Sequence, residues 1–564
     1  MNANHALARS FVDEFVRAGM RHACVAPGSR STPFALALAE EQRVSVHVQI
    51  DERSAGFLAL GIAKASRAPV AVVCTSGTAA TNLHPAVIEA SEAGVPLLVL
   101  TADRPPELRA TGANQTIDQI KLFGGAVRAF HEVGIAETTP DAARYWRSLA
   151  ARAWSQASSG PVHLNFAFRE PLVSDDLDAS DVDISGRAHD APWTVAPAAP
   201  AVPREADVDF LVDIVRRTER GLVVAGALEV DPSAVGEFAS VAGWPVLAEP
   251  TSGARAGAHA VSTYDAVLRV EQFAGTQRPE VVVRFGRGGI SKVLSSWLSP
   301  ELAQVLVDPH GSWPDPQRAA ARVIAAEPDA LLAQAAKVLA PRDGQWARTW
   351  SSAEARARKA MDAVLDSIPE PTEPRAARDV SAALPDGATL FVSASMPVRD
   401  LDWCMAPRSG LRVIANRGAN GIDGSVSTAL GVALASKSPT VALLGDLALL
   451  HDQNGLLTAR HENVDAVLVV LNNDGGGIFS FMPQSELPRH FERLFITPHG
   501  LDLSNIAATF DCGYERVLSA AELEPAVISR LDEGGTHIVE VRTDRAENVA
   551  IHQRVWRAVR DALA

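Results

Sequence analysis

Short, mostly apolar runs separated by helical patterns recur along the whole chain. VHVQI (46–50), PVAVVC (69–74), VPLLVL (95–100) and PVHLNF (161–166) occupy the first part. GLVVAG (221–226), EVVVRFG (280–286) and QVLVDP (304–309) follow, then TLFVSA (389–394), TVALLG (440–445), DAVLVVL (465–471) and HIVEVR (537–542). A strand that is apolar on both faces must be covered on both faces. A helix between consecutive strands provides that cover and returns the chain to the same end of the sheet. The alternation therefore predicts α/β architecture with parallel sheets. Two stretches interrupt it: residues 174–203, acidic and then rich in Pro and Ala, and IPEPTEP (368–374), just after a helical stretch near 345–367. A chain of 564 residues is too long for one hydrophobic core. The predicted organisation is three doubly wound parallel-sheet domains, at 1–180, 205–340 and 375–564, with no short-period repeat.

Composition excludes several function classes. The chain is 47% hydrophobic and 21% charged, as globular proteins are. A net charge of −15 argues against general nucleic-acid binding. Cys24, Cys74, Cys404 and Cys512 are scattered without a CxxC pair, which predicts free thiols in a reducing compartment rather than a zinc site or disulfide framework. MNANHALARSFVDEFVRAGM reads as an amphipathic helix and not as a leader, and no apolar run approaches the ~20 residues of a membrane span. A cytoplasmic enzyme or binding protein is expected.

The chemistry concentrates in two segments of the third domain. In TVALLGDLALLHD a hydrophobic strand stops at Gly445 and leaves Asp446 at its carboxyl end; one strand–helix–strand crossover later, VVLNNDGGGIF delivers Asn472 and Asn473 to the same edge. Ligands bind at that edge of an open α/β sheet. Gly-Asp after a strand, or Asn-Asn-Asp-Gly alone, is ordinary turn chemistry. Together on adjacent strands they present a carboxylate and an amide oxygen side by side, a donor set suited to Mg²⁺ with room for water and phosphate oxygens. The glycines let the backbone approach closely, so that the Gly475 carbonyl can join the shell.

GDL followed by NN resembles the GDG…NN signature of enzymes that bind thiamine diphosphate with Mg²⁺, departing from it at Leu447, where Gly is usual. The resemblance implies that Asp446, Asn473 and the Gly475 carbonyl hold the metal and the metal holds the diphosphate. It further requires a glutamate against the cofactor's pyrimidine ring. IDERSAGFLALG (50–61) offers Glu52 beyond a strand end; taken alone, an acid in the first turn of a helix is explained by the helix dipole. Such enzymes place their cofactor between the first domain of one subunit and the third domain of another, implying a homodimer or a dimer of dimers.

PGSR, IDERSAGF, TSGTA, NRGANGIDG, GDLALLHD and GGGIF together resemble the 2-succinyl-5-enolpyruvyl-6-hydroxy-3-cyclohexene-1-carboxylate synthase family of menaquinone biosynthesis, with a weaker middle match through GRGGISK. This resemblance implies substrate contacts at Ser29, Arg30, Arg104, Gln115, Lys292, Arg399 and Arg417. It implies a diphosphate contact at Ser395, a wedge under the cofactor at Ile422, and a pocket lined by Ile478 and Phe479. Met396 stands where relatives have Asn. The implied reaction decarboxylates 2-oxoglutarate and adds the succinyl unit 1,4 to isochorismate. Guanidinium groups at strand ends suit two such polyanions, although any one arginine could be a surface ion pair. An acetolactate-synthase-like enzyme or simple 2-oxoacid decarboxylase would act on small monocarboxylates and need fewer cations. A non-catalytic relative would be expected to have lost Glu52, Asp446 or Asn473.

Overall fold

The computed structural model describes residues 2–173, 183–196, 200–487 and 489–564. Much of the predicted linker, at 174–182 and 197–199, lies outside the described residues. The first sheet comprises β1 (His22–Val25), β2 (Ser45–Val48), β3 (Val70–Cys74), β4 (Leu97–Asp103), β5 (Ala129–Ile135) and β6 (Val162–Ala167), in the order β2-β1-β3-β4-β6-β5. The second comprises β7 (Gly221–Ala225), β8 (Val246–Ala248), β9 (Ala260–Val261), β10 (Val281–Phe285), β11 (Ala303–Val307) and β12 (Ala320–Ile324), in the order β12-β11-β10-β7-β8-β9. The third comprises β13 (Thr389–Val392), β14 (Arg412–Ala415), β15 (Thr440–Gly445), β16 (Ala466–Asn472), β17 (Gly513–Val517) and β18 (Thr536–Arg542), in the order β14-β13-β15-β16-β18-β17. Neighbouring strands pair in parallel throughout. The fold is α/β, with three doubly wound parallel sheets.

The outer two sheets share one connectivity, in which the winding reverses between the first and third strands of each domain: β1 and β3, then β13 and β15. Crevices beyond the carboxyl ends of these strands are where doubly wound sheets bind ligands. The middle sheet reverses between β7 and β10. Its central strands are buried valine-rich runs, as parallel sheets require.

The outer domains join along two helices, Glu52–Ser66 and Ser425–Ala435, which share one apolar core that includes Phe57, Leu58, Val426 and Leu430. Glycines let the backbones touch: a Cβ on Gly61 would lie 2.1 Å from the Thr428 carbonyl oxygen, and one on Gly431 would lie 2.3 Å from that of Leu58. The contact therefore fixes the start of the first helix, where Glu52 lies, relative to the third domain. The helix Gln345–Asp366 packs Met361 and Leu365 against Ile551 and Val555 of the C-terminal helix Arg545–Leu563.

Candidate active site

The metal-type donors come together at the edge of the third sheet. β15 and β16 pair with Gly445 opposite Leu471, so Asp446 and Asn473 leave adjacent strands at one end. The Gly475 amide donates to Asp446 Oδ2 (2.8 Å) and the Leu447 amide to Oδ1 (2.6 Å). His499 Nε2 lies 3.3 Å from Asp446 Oδ2. Burial raises the carboxyl of Asp446 above the usual range, opposed by those two amides and by His499. Gly475 adopts φ +137°, and a Cβ there would lie 2.2 Å from the Ile496 carbonyl oxygen, so the turn admits only glycine. Asp474 is also left-handed (φ +58°), and its carboxylate accepts from the His499 and Gly500 amides at 2.9 and 2.7 Å.

Asn473 is held on two sides. Its Nδ2 donates to Glu373 Oε1 (2.8 Å), while Arg545 Nη1 donates to the carbonyls of Asn473 and Asp474, both at 2.7 Å. Asn473 Oδ1 is buried without a hydrogen-bond partner. A buried acceptor left unmade costs about 1–3 kcal/mol, so an orphaned amide oxygen beside a buried carboxylate fits a hard divalent cation. Among the described residues no group of three or more His, Cys, Asp or Glu side chains could hold a metal; one carboxylate, one amide oxygen and one carbonyl form a different donor set. Glu373, His499 and Arg545 carry no local sequence signal, because each reaches the loop only through tertiary packing.

Beside this loop, Ser395 follows β13 with φ +72° and ψ −132°, opening the helix Met396–Cys404. Its carbonyl accepts from Arg399 Nη1 (2.5 Å). Burial and then the neighbouring Arg417 guanidinium lower the Arg399 pKa. Arg417 and Ile422 lie on the loop between β14 and the helix Ser425–Ala435. Fully buried Glu89 of the first domain ties that loop down, accepting from the amides of Gly418, Ala419 and Asn420 at 2.9, 2.7 and 3.0 Å. Ile478 and Phe479 are half-buried in a short turn of helix after the glycines, with the Phe479 ring 5.6 Å from Phe495.

The first-domain residues form a second crevice at β1 and β3. Ser29 is exposed there, and Arg30 is buried, donating to the Phe168 carbonyl (3.0 Å) and to Glu170 Oε1 (3.2 Å). Arg104, beyond β4, donates to Ser76 Oγ and to the Asn114 carbonyl (2.9 Å). Burial and then the nearby Arg30 lower its pKa. Gln115 is exposed, left-handed (φ +53°), and donates to the Ser76 carbonyl (3.0 Å). Glu52 opens its helix half-buried, with the thiol of Cys74 near enough to feel its charge. Its neighbours bind the third domain: Asn454 Nδ2 donates to Asp51 Oδ2 (3.0 Å) and Arg53 Nη2 to the His451 carbonyl (2.7 Å).

Lys292, at the start of the middle-domain helix Lys292–Trp297, is exposed. Two residues earlier, Ile290 is buried in the core of the third domain with Val398, the neighbour of Arg399. That anchor brings Lys292 to the boundary where Arg399 and Arg417 lie. Glu249 secures the same segment by accepting from the amides of Gly289 (2.9 Å) and Ile290 (3.0 Å). Thus the structure gathers Asp446, Asn473, Gly475, Ser395 and Arg399 around one sheet end, Ser29, Arg30, Arg104 and Gln115 around another, and sets Lys292 at the middle-domain boundary.

The comparisons agree over the whole length. Three family models match in order: thiamine pyrophosphate enzyme, N-terminal TPP binding domain, at residues 5–122; middle domain of thiamine pyrophosphate, at 188–392; and thiamine pyrophosphate enzyme, C-terminal TPP binding domain, at 399–541. The 2-succinyl-5-enolpyruvyl-6-hydroxy-3-cyclohexene-1-carboxylate synthase of Thermobifida fusca (strain YX) is 49% identical, covering 100% of this chain and 99% of its own. The chain belongs to that synthase family. The synthases of Saccharopolyspora erythraea and Myxococcus xanthus are 45% and 46% identical, covering 100% and 98% of this chain and 100% and 97% of their own. As a member of this synthase family, the protein is a thiamine-diphosphate-dependent enzyme, and the two outer sheets are its cofactor-binding domains. Among the described residues no helix is long and apolar enough to cross a membrane.

Proposed function

We propose that this synthase decarboxylates 2-oxoglutarate and joins the succinyl unit 1,4 to isochorismate, releasing CO₂, as a transferase of menaquinone biosynthesis. The observation that carries the substrate reading is the opposition of like charges in both crevices. Beyond burial, Arg30 lies near enough to Arg104 to lower its pKa, and Arg417 near enough to Arg399 to lower its pKa. Among the described residues, the guanidinium hydrogen bonds of Arg104 and Arg399 go to neutral oxygens. Facing cations of which, among the described residues, only Arg30 is offset by a carboxylate, Glu170, favour anions, and both substrates carry two carboxylates.

Asp446, the freed Asn473 Oδ1 and the Gly475 carbonyl would hold Mg²⁺, or Mn²⁺ in its place, on the diphosphate of the cofactor. Thiamine diphosphate, when bound, supplies the electron sink that lets a 2-oxoacid lose CO₂. Ser395 would contact the diphosphate and Ile422 would support the bent cofactor from below. Glu52 would accept a hydrogen bond from the pyrimidine ring and favour its imino tautomer. Ser29, Arg30, Arg104, Gln115, Lys292, Arg399 and Arg417 would bind the substrate carboxylates, while Ile478 and Phe479 exclude water. The cofactor would lie between the first domain of one protomer and the third of another, in a homodimer or dimer of dimers. The four free thiols support a cytoplasmic location.

The decisive experiment is CO₂ release from 2-oxoglutarate with and without isochorismate. The expected result is release coupled to formation of the adduct and strongly stimulated by isochorismate. Equal release without it would indicate a simple 2-oxoacid decarboxylase, and release only from pyruvate an acetolactate-synthase-like enzyme.

A further inference from the structure

Glu373 has no role in the chemistry described so far, yet it is almost wholly buried at the first turn of the helix Glu373–Ala383. An acid placed there only for the helix dipole would sit at the surface. Its Oε1 instead accepts from Asn473 Nδ2 (2.8 Å) and from Thr543 Oγ1 (3.1 Å). A primary amide has two chemically distinct ends, and its orientation is set by its partners. A carboxylate on one side accepts only, so it draws the NH₂ end of Asn473 toward itself and turns Oδ1 the other way. That oxygen is the buried, unpartnered atom of the metal-type site. The fit depends on Gly477, where a Cβ would lie 2.4 Å from Asn473 Nδ2. Arg545 fixes the main chain on either side through the Asn473 and Asp474 carbonyls, so the side-chain orientation is left to Glu373.

We infer that Glu373 is a positioning residue for the metal: it locks the Asn473 carboxamide with its oxygen toward the cation and, through the charged hydrogen bond, makes that oxygen a better donor. Outer-shell carboxylates act on metal-ligating histidines in the same manner, and losing one typically costs 10- to 100-fold in metal affinity. The inference rests on the metal site proposed above.

The test is titration of Mg²⁺ into the full-length protein with saturating thiamine diphosphate, followed by calorimetry, for the wild type, Glu373→Gln, Glu373→Ala and Asp446→Ala. Glu373→Gln preserves size and one acceptor, but its own NH₂ can face Asn473 Oδ1 and let the amide turn. It also covers the case in which the alanine variant fails to fold. The expected result is Mg²⁺ affinity about 10- to 100-fold weaker in Glu373→Ala and less weakened in Glu373→Gln. Unfolding midpoints without metal should stay close together for the wild type and Glu373→Gln. Wild-type Mg²⁺ affinity in both Glu373 variants, with affinity lost in Asp446→Ala, would overturn the role of Glu373 and leave the metal site standing. Wild-type affinity in Asp446→Ala would overturn the metal site, and the inference with it.

Discussion

Glu52 stands at the first turn of its helix with the third domain's 451–454 segment held by its two neighbours, so the backbone around it is fixed. If its carboxylate activates the cofactor, Glu52→Gln should bind thiamine diphosphate normally and lose roughly 10²-fold or more in rate, the range of general acid–base catalysis. Exchange of the cofactor's C2 proton into D₂O, followed by NMR, reads that step; wild-type exchange in the variant would remove Glu52 from the chemistry. Lys292 calls for a different measurement. It is an exposed cation whose segment is anchored in the third-domain core by Ile290. Lys292→Ala is expected to raise KM for isochorismate about 10- to 150-fold, equivalent to one charge-assisted contact of roughly 1.5–3 kcal/mol, with 2-oxoglutarate decarboxylation nearly intact. A KM rise confined to 2-oxoglutarate would mean the cations serve the other substrate, and no change would make Lys292 a surface residue.

At the scale of elements, the contact between the helices Glu52–Ser66 and Ser425–Ala435 sets one cofactor-binding domain against the other. Helix propensity alone favours alanine over glycine by about 1 kcal/mol. At Gly431 that preference is opposed by the Leu58 carbonyl oxygen, 2.3 Å from where a Cβ would sit, and backbone cannot rotate away as a side chain can. Overpacking typically costs about 1–3 kcal/mol, so after the propensity gain of about 1 kcal/mol Gly431→Ala should destabilise the protein by up to about 2 kcal/mol net, as read by urea denaturation. A stabilised variant would show that the two helices are free to move apart. Legibility differed among elements for a related reason. Central strands such as β3, β4 and β16 are buried along their length and read directly as apolar runs. Edge strands β5, β14 and β17 are only partly buried, so their mixed composition does not stand out from loops.

Across the whole molecule, buried carboxyls at domain boundaries couple stability to pH. Glu249 lies beyond β8 of the middle domain, against Asp402 and Arg417 of the third. Burial and then Asp402 push its carboxyl up to about 7, opposed by the amides of Ile290 and Gly289 and by Arg417. Between its ordinary value of 4.5 and about 7 the folded state binds more protons than the unfolded state, so its contribution to stability falls as pH rises. Asp402 and Asp452, raised to about 6, have the same sign. Glu249→Gln retains an acceptor for both amides and removes one titration. Relative to the wild type, it should gain roughly 1–3 kcal/mol between pH 5 and pH 8 in chemical denaturation. An equal difference at both pH values would mean that Glu249 titrates normally in the fold.

What the sequence determined by itself was whatever depends on neighbours along the chain: the α/β class from apolar runs alternating with helices, the strand that ends at Asp446, the strand that ends at Asn473, and the glycines of the turn between them. These are legible because strand burial, helix periodicity and left-handed turns each leave a local pattern of residue types. Only the tertiary structure decided which way the Asn473 amide faces and how its main chain is held, since Glu373 and Arg545 respectively reach them from distant segments. It likewise decided that Glu89 holds the loop bearing Arg417, and that Ile290 carries Lys292 to the third domain. Orientation and approach arise from packing between segments far apart in the chain, and no short stretch of sequence encodes its distant partner.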